Sequence, residues 1–298
     1  MDLNSIAVIL NAASGLSPTE VKLQQLRQAC WEQNLRPEIF LAHDGGLLVT
    51  ETQKALAAGF RVIVAAGGDG TISAVAAEVL KADAVLGIIP WGTLNHLAKD
   101  LRIPTDTAGA VSVIAGLRQA RIDVGEVNGL IFINNSSIGL YPKLVALRER
   151  HQRSGQYKWL AFLRALVSVI WRYSYFEVRL KLSGQETVVN SNLIFVGNNS
   201  YEIEGWQIGG RGSLERGELT LCVLRHTGRW GLLNVAWHAL FGGLAQHQSF
   251  DVYSTDKVTV QTKKKFLRVA VDGEVLTLPT PLEYKILPKA LKVIIPAV

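Results

Sequence analysis

The pentapeptide Gly67-Gly68-Asp69-Gly70-Thr71 combines residue types that suit the binding of a phosphate group. It follows an apolar, β-type run, Val62–Ala66, and precedes a helix-like stretch, Ile72–Lys81. Three glycines let the main chain turn sharply and approach a ligand without Cβ clashes, and the N–H groups of such a turn can bind phosphate oxygens. Because a carboxylate there would repel phosphate, Asp69 indicates Mg²⁺ with a nucleotide rather than phosphate alone. The simpler alternative is a tight strand-to-helix turn with Asp69 as a cap.

Three further short motifs stand at predicted turns. Asn11-Ala12-Ala13-Ser14-Gly15 follows a predicted strand, Ile6–Leu10, and Pro90-Trp91-Gly92-Thr93-Leu94-Asn95 follows another, Ala84–Ile89. Val271-Asp272-Gly273-Glu274 comes late in the chain. Asn, Ser and Thr side chains can hydrogen-bond a base, a ribose or phosphates. Each motif alone is equally compatible with a polar turn, and Asp-Gly is a common hairpin pair.

Strand and helix signals alternate through the first 125 residues. Ser17-Pro18-Thr19-Glu20 begins a predicted helix with a capping box and proline in the first turn. A second predicted helix, about Leu47–Ala58, ends at Gly59. This rhythm predicts a parallel sheet with helices on both faces, and ligands bind beyond the carboxyl ends of the strands in such sheets. The first three motifs are therefore expected at one ligand-binding edge.

From about residue 122 the pattern becomes β-rich. Asn128-Gly129, between Ile122–Val127 and Leu130–Asn134, predicts a hairpin. Further strands are predicted at Phe176–Leu182, Val188–Val196, Glu218–Leu224, Lys257–Gln261, Leu267–Val271 and Leu282–Leu287, with helical segments at about Leu140–Trp171 and Trp230–Leu240. We predict an α/β domain over residues 1–125 and a mainly antiparallel β domain over 126–288. The final residues, 289–298, form a strand or return to the first domain.

Composition bounds the function only loosely. The 298 residues favour two domains, and the net charge of +6 favours anionic partners. Cys30 and Cys222 fit neither a metal site nor a disulfide framework, which favours a reducing cytoplasm. The N-terminus reads as a strand rather than a signal peptide. The most apolar long stretch, Trp159–Trp171, is too short to span a bilayer, and nothing resembles a nucleic-acid-binding motif.

In their order along the chain, the four motifs resemble the diacylglycerol kinase catalytic-domain family, which includes bacterial lipid kinases and the sphingosine and ceramide kinases. The resemblance covers nearly the whole chain and rests mainly on the G-G-D-G-T turn, the P-x-G-T-x-N motif and the late D-G-E. It implies a doubly wound, phosphofructokinase- or NAD kinase-like α/β domain followed by a β-rich lipid-substrate domain. It also implies a kinase that uses ATP and Mg²⁺ to phosphorylate a lipid hydroxyl, of diacylglycerol or a similar lipid.

The family's site residues carry over by position. The resemblance places the nucleotide against Asn11, Ser14, Gly15, Gly67, Gly68, Gly70, Thr71, Thr93 and Asn95. It makes Asp272 the general base. From the residue types we expect Asp69 to take part in catalysis by holding Mg²⁺ on ATP, directly or through water. Glu274 would orient Asp272 or share the metal. The stretch Asn134–Gly139 is similar to the family's N-x-S-x-G segment.

Two positions depart from the family's pattern. Ala12 replaces a proline, which changes the stiffness of the turn more than its chemistry. Arg216, in Leu214-Glu215-Arg216-Gly217, replaces an aspartate that helps bind a second, structural Mg²⁺ in bacterial diacylglycerol kinases. We therefore do not expect that second metal site here.

A lipid kinase must meet its substrate at a membrane surface, so we expect a cytoplasmic protein associated peripherally with the inner face of the membrane. The basic and aromatic stretch Arg148–Tyr175 fits an interfacial helix, or equally an ordinary helix packed on the second domain. Lys263-Lys264-Lys265 fits a solvated turn or a contact with lipid headgroups. We expect no nucleic-acid partner. The oligomeric state stays open, with a homodimer among the options.

Two other functions compete with the lipid kinase. NAD kinases and phosphofructokinases also use a G-G-D-G turn, so a kinase with a soluble substrate is one alternative. Against it, the Asn-Glu pair usual in NAD kinases is missing, and Asn134-Asn135 is the nearest match. A non-catalytic nucleotide- or lipid-binding homologue is the other alternative, which the retained Asp69, Asp272 and Glu274 disfavour. Diacylglycerol, a sphingoid base, ceramide and a glycerophospholipid headgroup would each present a hydroxyl to such a kinase.

Overall fold

The computed structural model describes residues 6–12, 19–139, 176–182, 184–200, 211, 213–224 and 250–297. Several predictions lie outside these ranges: the contacts of Ser14 and Gly15, the capping role of Ser17, the two helical segments of the second domain and the stretch Arg148–Tyr175. The chain divides into two compact units, Met1–Val124 with Pro288–Val298, and Gly125–Leu287.

The first unit is built on a parallel sheet. Its elements are β1 (Ile6–Asn11), α1 (Thr19–Glu32), β2 (Glu38–Ala42), α2 (Leu47–Ala57), β3 (Val62–Gly67), α3 (Asp69–Lys81), β4 (Val85–Pro90), α4 (His96–Asp100) and α5 (Thr107–Gly116). The strand order is β2-β1-β3-β4, and every pair in it is parallel. All residues of β3 and β4 are buried, as expected for strands covered on both faces.

The connections of this sheet place the predicted motifs at one edge. The chain runs from β1 outward to β2, and from β3 outward in the opposite direction to β4. Right-handed crossovers then put α1 and α3 on opposite faces, which makes the unit doubly wound. The carboxyl ends of β1 and β3 are therefore the switch point at which such sheets bind ligands.

The second unit is mainly antiparallel β. It contains β6 (Leu130–Phe132), β7 (Asn135–Gly139), β8 (Phe176–Leu182), β9 (Gln185–Ser191), β10 (Leu193–Asn198), β11 (Leu219–Leu224), β12 (Phe250–Thr255), β13 (Lys257–Thr262), β14 (Phe266–Val271) and β15 (Glu274–Pro279). Two strands run from one unit into the other, namely β5 (Gln119–Val127) and β16 (Leu282–Ile294). One sheet has the order β12-β11-β10-β7-β14-β15, and β16-β13-β8-β9 lie in another. Apolar residues of both sheets form one buried cluster, in which the rings of Phe132 and Tyr284 meet edge to face. The predicted fold class is confirmed.

Two strand predictions were wrong in their extent. The predicted strand Val188–Val196 is two strands in different sheets, separated at Asn192. Ser191 Oγ accepts the N–H of Leu193 and so stabilises a sharp local turn at this break, which an apolar run does not reveal. The predicted strand Leu282–Leu287 continues to Ile294 as β16, whose last residues pair in parallel with β4.

Several elements were not predicted. These are β7, β12, β15 and the helices α4 and α5. The start of α5 could have been predicted, because aspartate is a favoured N-cap residue. The carboxylate of Asp106 accepts the N–H of Gly109 at 2.7 Å. Within the described ranges, the helices are all too short or too polar to cross a bilayer.

Gly125 tests the packing of the second unit. It pairs with Phe132 across β5 and β6, and a Cβ at this position would overlap the Phe132 ring, 2.8 Å from Cδ2. We expect Gly125→Ala to lower the free energy of unfolding by about 1–3 kcal/mol through overpacking. Gly116→Ala is the matched control, because a Cβ there meets nothing within 4 Å. Urea denaturation should give a lower midpoint for Gly125→Ala alone; equal midpoints would contradict this packing.

Candidate functional site

The turns that follow β3 and β4 are in direct contact. The two strands pair in register up to Gly67 and Pro90, and the N–H of Trp91 donates to the carbonyl of Gly67 at 2.9 Å. A Cβ on Gly92 would lie 2.6 Å from the Cα of Gly68. Glycine is therefore required at this contact so that the two turns can lie against each other.

The carboxylate of Asp69 joins the same two turns. Its Oδ2 accepts the N–H of Asn95 at 2.9 Å, and its Oδ1 accepts the N–H of His96 at 2.7 Å. These donors stand at the start of α4, where main-chain N–H groups have no intrahelical acceptor. Asp69 does act as a cap, but for α4 rather than for the helix in which it lies.

The side chain of Asn95 holds its own turn. Asn95 has left-handed backbone angles, φ 52° and ψ 49°, and is only 5% exposed. Its Oδ1 accepts the N–H of Gly92 at 2.9 Å, and its Nδ2 donates to the carbonyl of Gly92 at 2.9 Å. Thr93, in the same turn, is exposed. The predicted nucleotide contacts of both residues stay predictions, and the structure adds a positioning role for Asn95.

Asn11 and Thr71 contact each other. Asn11 lies at the end of β1, and its Nδ2 donates to Thr71 Oγ1 at 2.9 Å. The Thr71 side chain is buried against Gly67, where an added Cβ would lie 2.6 Å from the Cβ of Thr71. The hydroxyl of Thr71 thus faces the protein interior. Its contacts with Asn11 and Gly67 join β1, β3 and α3 at the predicted ligand-binding edge of the sheet.

The first turn of α3 presents main-chain N–H groups. Its N-cap is Gly68, in an extended conformation with φ −89° and ψ −175°, so no side chain stands over the helix end. The initial N–H groups of a helix lack intrahelical acceptors, and the helix dipole favours an anion there. Among the described residues, nothing lies within 4 Å of a Cβ added at Gly70. Internal packing explains glycine at positions 67, 68 and 92, but it does not explain Gly70.

A cavity of about 640 Å³ borders the turn that follows β4. It lies between α1 and the start of α5, beside Trp91, whose Nε1 donates to Thr107 Oγ1 at 3.0 Å. Lys22 is 4% exposed and lies with its Nζ 5.8 Å from the centre of the Trp91 ring. The sequence analysis did not predict a buried lysine in this helix, and it assigned no contact to the Trp91 ring, so both side chains were missed.

In the second unit, Asp272 lies in a two-residue hairpin turn. Asp272 and Gly273 have φ angles of 45° and 91°, and they connect β14 to β15. The carboxylate accepts three main-chain N–H groups: Ile133 at 2.7 Å, Asn134 at 2.8 Å and Asn135 at 3.1 Å. Asp272 is therefore both a turn residue and a side chain fixed in one orientation by the segment 133–135.

A buried arginine contacts the same segment. Arg211 is 6% exposed and donates to the carbonyl of Ile133 and, at 3.0 Å, to Asn134 Oδ1. Asn198 Nδ2 also donates to the carbonyl of Ile133, at 2.8 Å. Residues 133–135 are thus held through their N–H groups by Asp272 and through a carbonyl by Arg211 and Asn198. Sequence reasoning missed Arg211, which follows no periodic pattern and stands in no recognisable motif.

The other acidic candidate, Glu274, is exposed at the start of β15. Its carboxylate makes no hydrogen bond or ion pair with the residues that the structure describes, and its predicted role beside Asp272 stays a prediction. In the buried interior of the second unit, Ser136 Oγ and the Tyr284 hydroxyl lie 3.1 Å apart, within hydrogen-bond distance. Burial raises the pKa of Tyr284, so its phenol stays protonated and available for this hydrogen bond.

No cluster of three or more His, Cys, Asp or Glu side chains suited to a metal ion occurs within the described ranges. In the L-E-R-G segment, the Arg216 N–H donates to Asn199 Oδ1 at 3.0 Å, and its guanidinium lies 4.0 Å from the Glu218 carboxylate. The predicted metal-binding role of Asp69 stays a prediction.

Comparison with known proteins identifies the family. The sequence pattern of the diacylglycerol kinase catalytic domain matches residues 5–127. The pattern of the YegS C-terminal NAD kinase beta sandwich-like domain matches residues 145–295, which is more than half of the chain. The chain belongs to the diacylglycerol kinase catalytic-domain family. The resemblance inferred from the four motifs is therefore confirmed.

Individual relatives are distant. An uncharacterised protein of Synechocystis is 27% identical over 78% of this chain and 54% of its own length. A probable lipid kinase YegS-like protein of Chromohalobacter salexigens is 28% identical over 61% of this chain and 60% of its own length. A diacylglycerol kinase of Staphylococcus saprophyticus is 31% identical over 44% of each chain. The matched parts thus cover about half of these relatives.

A solved structure shares the fold. The crystal structure of a diacylglycerol kinase from Bacillus anthracis superposes with a TM-score of 0.71, covering 98% of this chain and 97% of that chain at 20% identity. At 20% identity this structural similarity supports the same fold and carries no conclusion about function.

Asp69→Asn tests the link between the two turns. The asparagine amide group would face one of the N–H donors of α4, leaving that donor unsatisfied. We expect the free energy of unfolding to fall by about 1–3 kcal/mol. The urea midpoint measures the change, with Asp256→Asn as the control, because the Asp256 side chain has no partner among the described residues. An unchanged midpoint for Asp69→Asn would refute the bridging role.

Proposed function

We propose that the protein is an ATP-dependent lipid kinase that transfers the γ-phosphoryl group to a lipid hydroxyl. The observation that carries the proposal is the pair of bridged turns at the switch point of the sheet. There, Asp69 fixes α4 against the start of α3, and Gly70 leaves open space above the first-turn N–H groups. The names of the relatives support a lipid as the acceptor.

In this proposal the triphosphate lies on the first turn of α3. The N–H groups of Gly68, Gly70 and Thr71 hold phosphate oxygens, assisted by the helix dipole. Asn11 orients Thr71 and lies next to the ligand, and Thr93 offers its exposed hydroxyl. Ser14 and Gly15 are assigned to the nucleotide by family resemblance alone.

The donor set at this edge fits Mg²⁺ that arrives with the nucleotide. Each oxygen of Asp69 accepts one main-chain N–H, and a carboxylate oxygen has a further lone pair for a metal or a metal-bound water. Mg²⁺ is commonly bound by one or two carboxylates, substrate phosphates and water. When bound, it would neutralise charge on the transferring phosphoryl group.

Asp272 is the proposed acceptor of the proton from the lipid hydroxyl. The hydroxyl oxygen bonds to the γ-phosphorus, the bond to the bridging oxygen breaks, and ADP leaves. Three main-chain N–H groups orient the Asp272 carboxylate and stabilise its charged form. A weak base suffices because the proton can leave late in a loose transition state. Glu274, exposed beside the turn, is proposed to assist Asp272 or the metal.

Gly70→Ala tests the nucleotide site directly. The protein itself leaves room for the added methyl group, and alanine is favourable in a helix, so folding should be unaffected. A triphosphate on the α3 N-terminus would collide with the methyl group, and we expect ATP affinity to fall about tenfold or more, which is about 1.4 kcal/mol. Isothermal titration calorimetry with Mg·ATP measures this loss.

Gly45→Ala is the matched control, because its Cβ also meets nothing within 4 Å and it lies in the turn before α2. Equal ATP affinity for the wild type and both variants would place the triphosphate elsewhere.

The reaction is tested with labelled ATP, Mg²⁺ and a mixed lipid extract. We expect a phosphorylated lipid from the wild type, none from Asp272→Asn, and a normal amount from Asp256→Asn. Asp272→Asn should still bind ATP. Its urea midpoint must be measured as well, because Asp272 also holds residues 133–135. Full turnover in Asp272→Asn would remove it from the mechanism, and labelling of NAD without any lipid product would indicate a soluble-substrate kinase.

A further inference from the structure

The turn between β13 and β14 carries an unusual set of exposed side chains. Lys263, Lys264 and Lys265 are consecutive and exposed, and Phe266 follows at the start of β14 with 62% of its surface exposed. We call these four residues the basic tip. A large exposed aromatic ring beside three lysines combines an apolar group with concentrated positive charge.

The backbone of the basic tip is held in one conformation. Thr262 Oγ1 accepts the N–H of Lys264 at 3.3 Å. From the neighbouring strand end, the N–H of Thr280 donates to the carbonyl of Lys265 at 3.0 Å, and the Thr280 hydroxyl donates to the carbonyl of Lys264. These bonds occupy main-chain groups and leave the lysine side chains to solvent. Little backbone order would have to be gained when a partner binds.

The charge of the basic tip is largely uncompensated. Lys263 lies 3.4 Å from the Glu177 carboxylate, although the lysine side chain stays 83% exposed. Within the described ranges, no carboxylate lies within 4.0 Å of Lys264, Lys265 or Arg268. Arg268 is exposed on the same face of β14 as Phe266, since side chains two residues apart share a face. Phe266 is therefore flanked along the chain by four exposed basic residues, the three lysines before it and Arg268 after it.

We propose that the basic tip docks the protein on an anionic phospholipid surface. Lysines near such a surface each strengthen binding by about fivefold, and an aromatic ring is well suited to the boundary between headgroups and acyl chains. Single-stranded nucleic acid is instead usually bound in a groove with successive stacking aromatics, whereas here one ring is present. The combination favours a lipid surface over nucleic acid.

The basic tip is separate from the candidate catalytic groups. It lies at the opposite end of β14 from Asp272, and the six residues of this strand span about 20 Å. It therefore acts as an anchor, not as part of the reaction. This inference rests on the proposed lipid kinase, to which it adds a membrane contact. Its test measures vesicle binding and not turnover, so membrane docking and kinase activity can be refuted separately.

The experiment measures co-sedimentation of the full chain with phosphatidylcholine vesicles, with and without phosphatidylglycerol. The triple variant Lys263→Gln, Lys264→Gln, Lys265→Gln is compared with the wild type and with Lys54→Gln, Arg61→Gln, Lys81→Gln. The control removes the same charge from exposed positions of the first unit. We expect only the basic-tip variant to lose binding to the anionic vesicles, by about tenfold or more, and the wild-type binding to weaken as salt is added.

Phe266→Ser tests the apolar part of the contact, with Val252→Ser as its control at a similarly exposed position, 59% exposed, on β12. We expect weaker vesicle binding for Phe266→Ser alone. Equal vesicle binding by the wild type and the basic-tip variant would overturn the proposal. Loss of binding to a DNA oligonucleotide in the basic-tip variant, with vesicle binding intact, would also overturn it and point to nucleic acid.

Discussion

The hydrogen bonds between the Asp69 carboxylate and the N–H groups of Asn95 and His96 are the constraint on which the candidate site depends. They fix the start of α4 against the start of α3, although the two segments are far apart in sequence. The glycines at positions 68 and 92 permit the contact, and the side chain of Asn95 shapes the second turn. With both turns fixed, the first-turn N–H groups of α3 are presented without any movement of the main chain.

The second unit uses the same device at its own candidate residue. Asp272 also satisfies main-chain donors with its carboxylate, and Arg211 holds the other side of the segment that supplies them. In both units an acidic residue assigned to chemistry is therefore also a structural cap. Such a residue is held in a defined orientation before any substrate binds, which lowers the cost of ordering the site. It also means that loss of activity on substitution must be read together with stability.

The sequence was informative where local chemistry decides the structure. Glycine turns after apolar strands, helix caps and the Asn128-Gly129 hairpin located most of the elements that carry the site, and the motifs led to the correct family and fold. It was uninformative where distant residues decide. Nothing local shows that Asp69 caps α4, that Arg211 is buried beside Ile133, or that Lys22 is buried beside Trp91. The division of Val188–Val196 at Asn192 likewise depends on tertiary pairing, because β9 pairs with β8 whereas β10 pairs with β7 and β11.

Hydrogen–deuterium exchange with and without Mg·ATP tests the central claim most directly. The N–H groups of Gly68, Gly70 and Thr71 have no intrahelical acceptor, so they should exchange rapidly in the free protein and slowly once phosphate oxygens accept them. The account predicts ATP-dependent protection in the peptide that covers residues 67–72. Protection elsewhere in the chain, with exchange of residues 67–72 unchanged at saturating ATP, would contradict it.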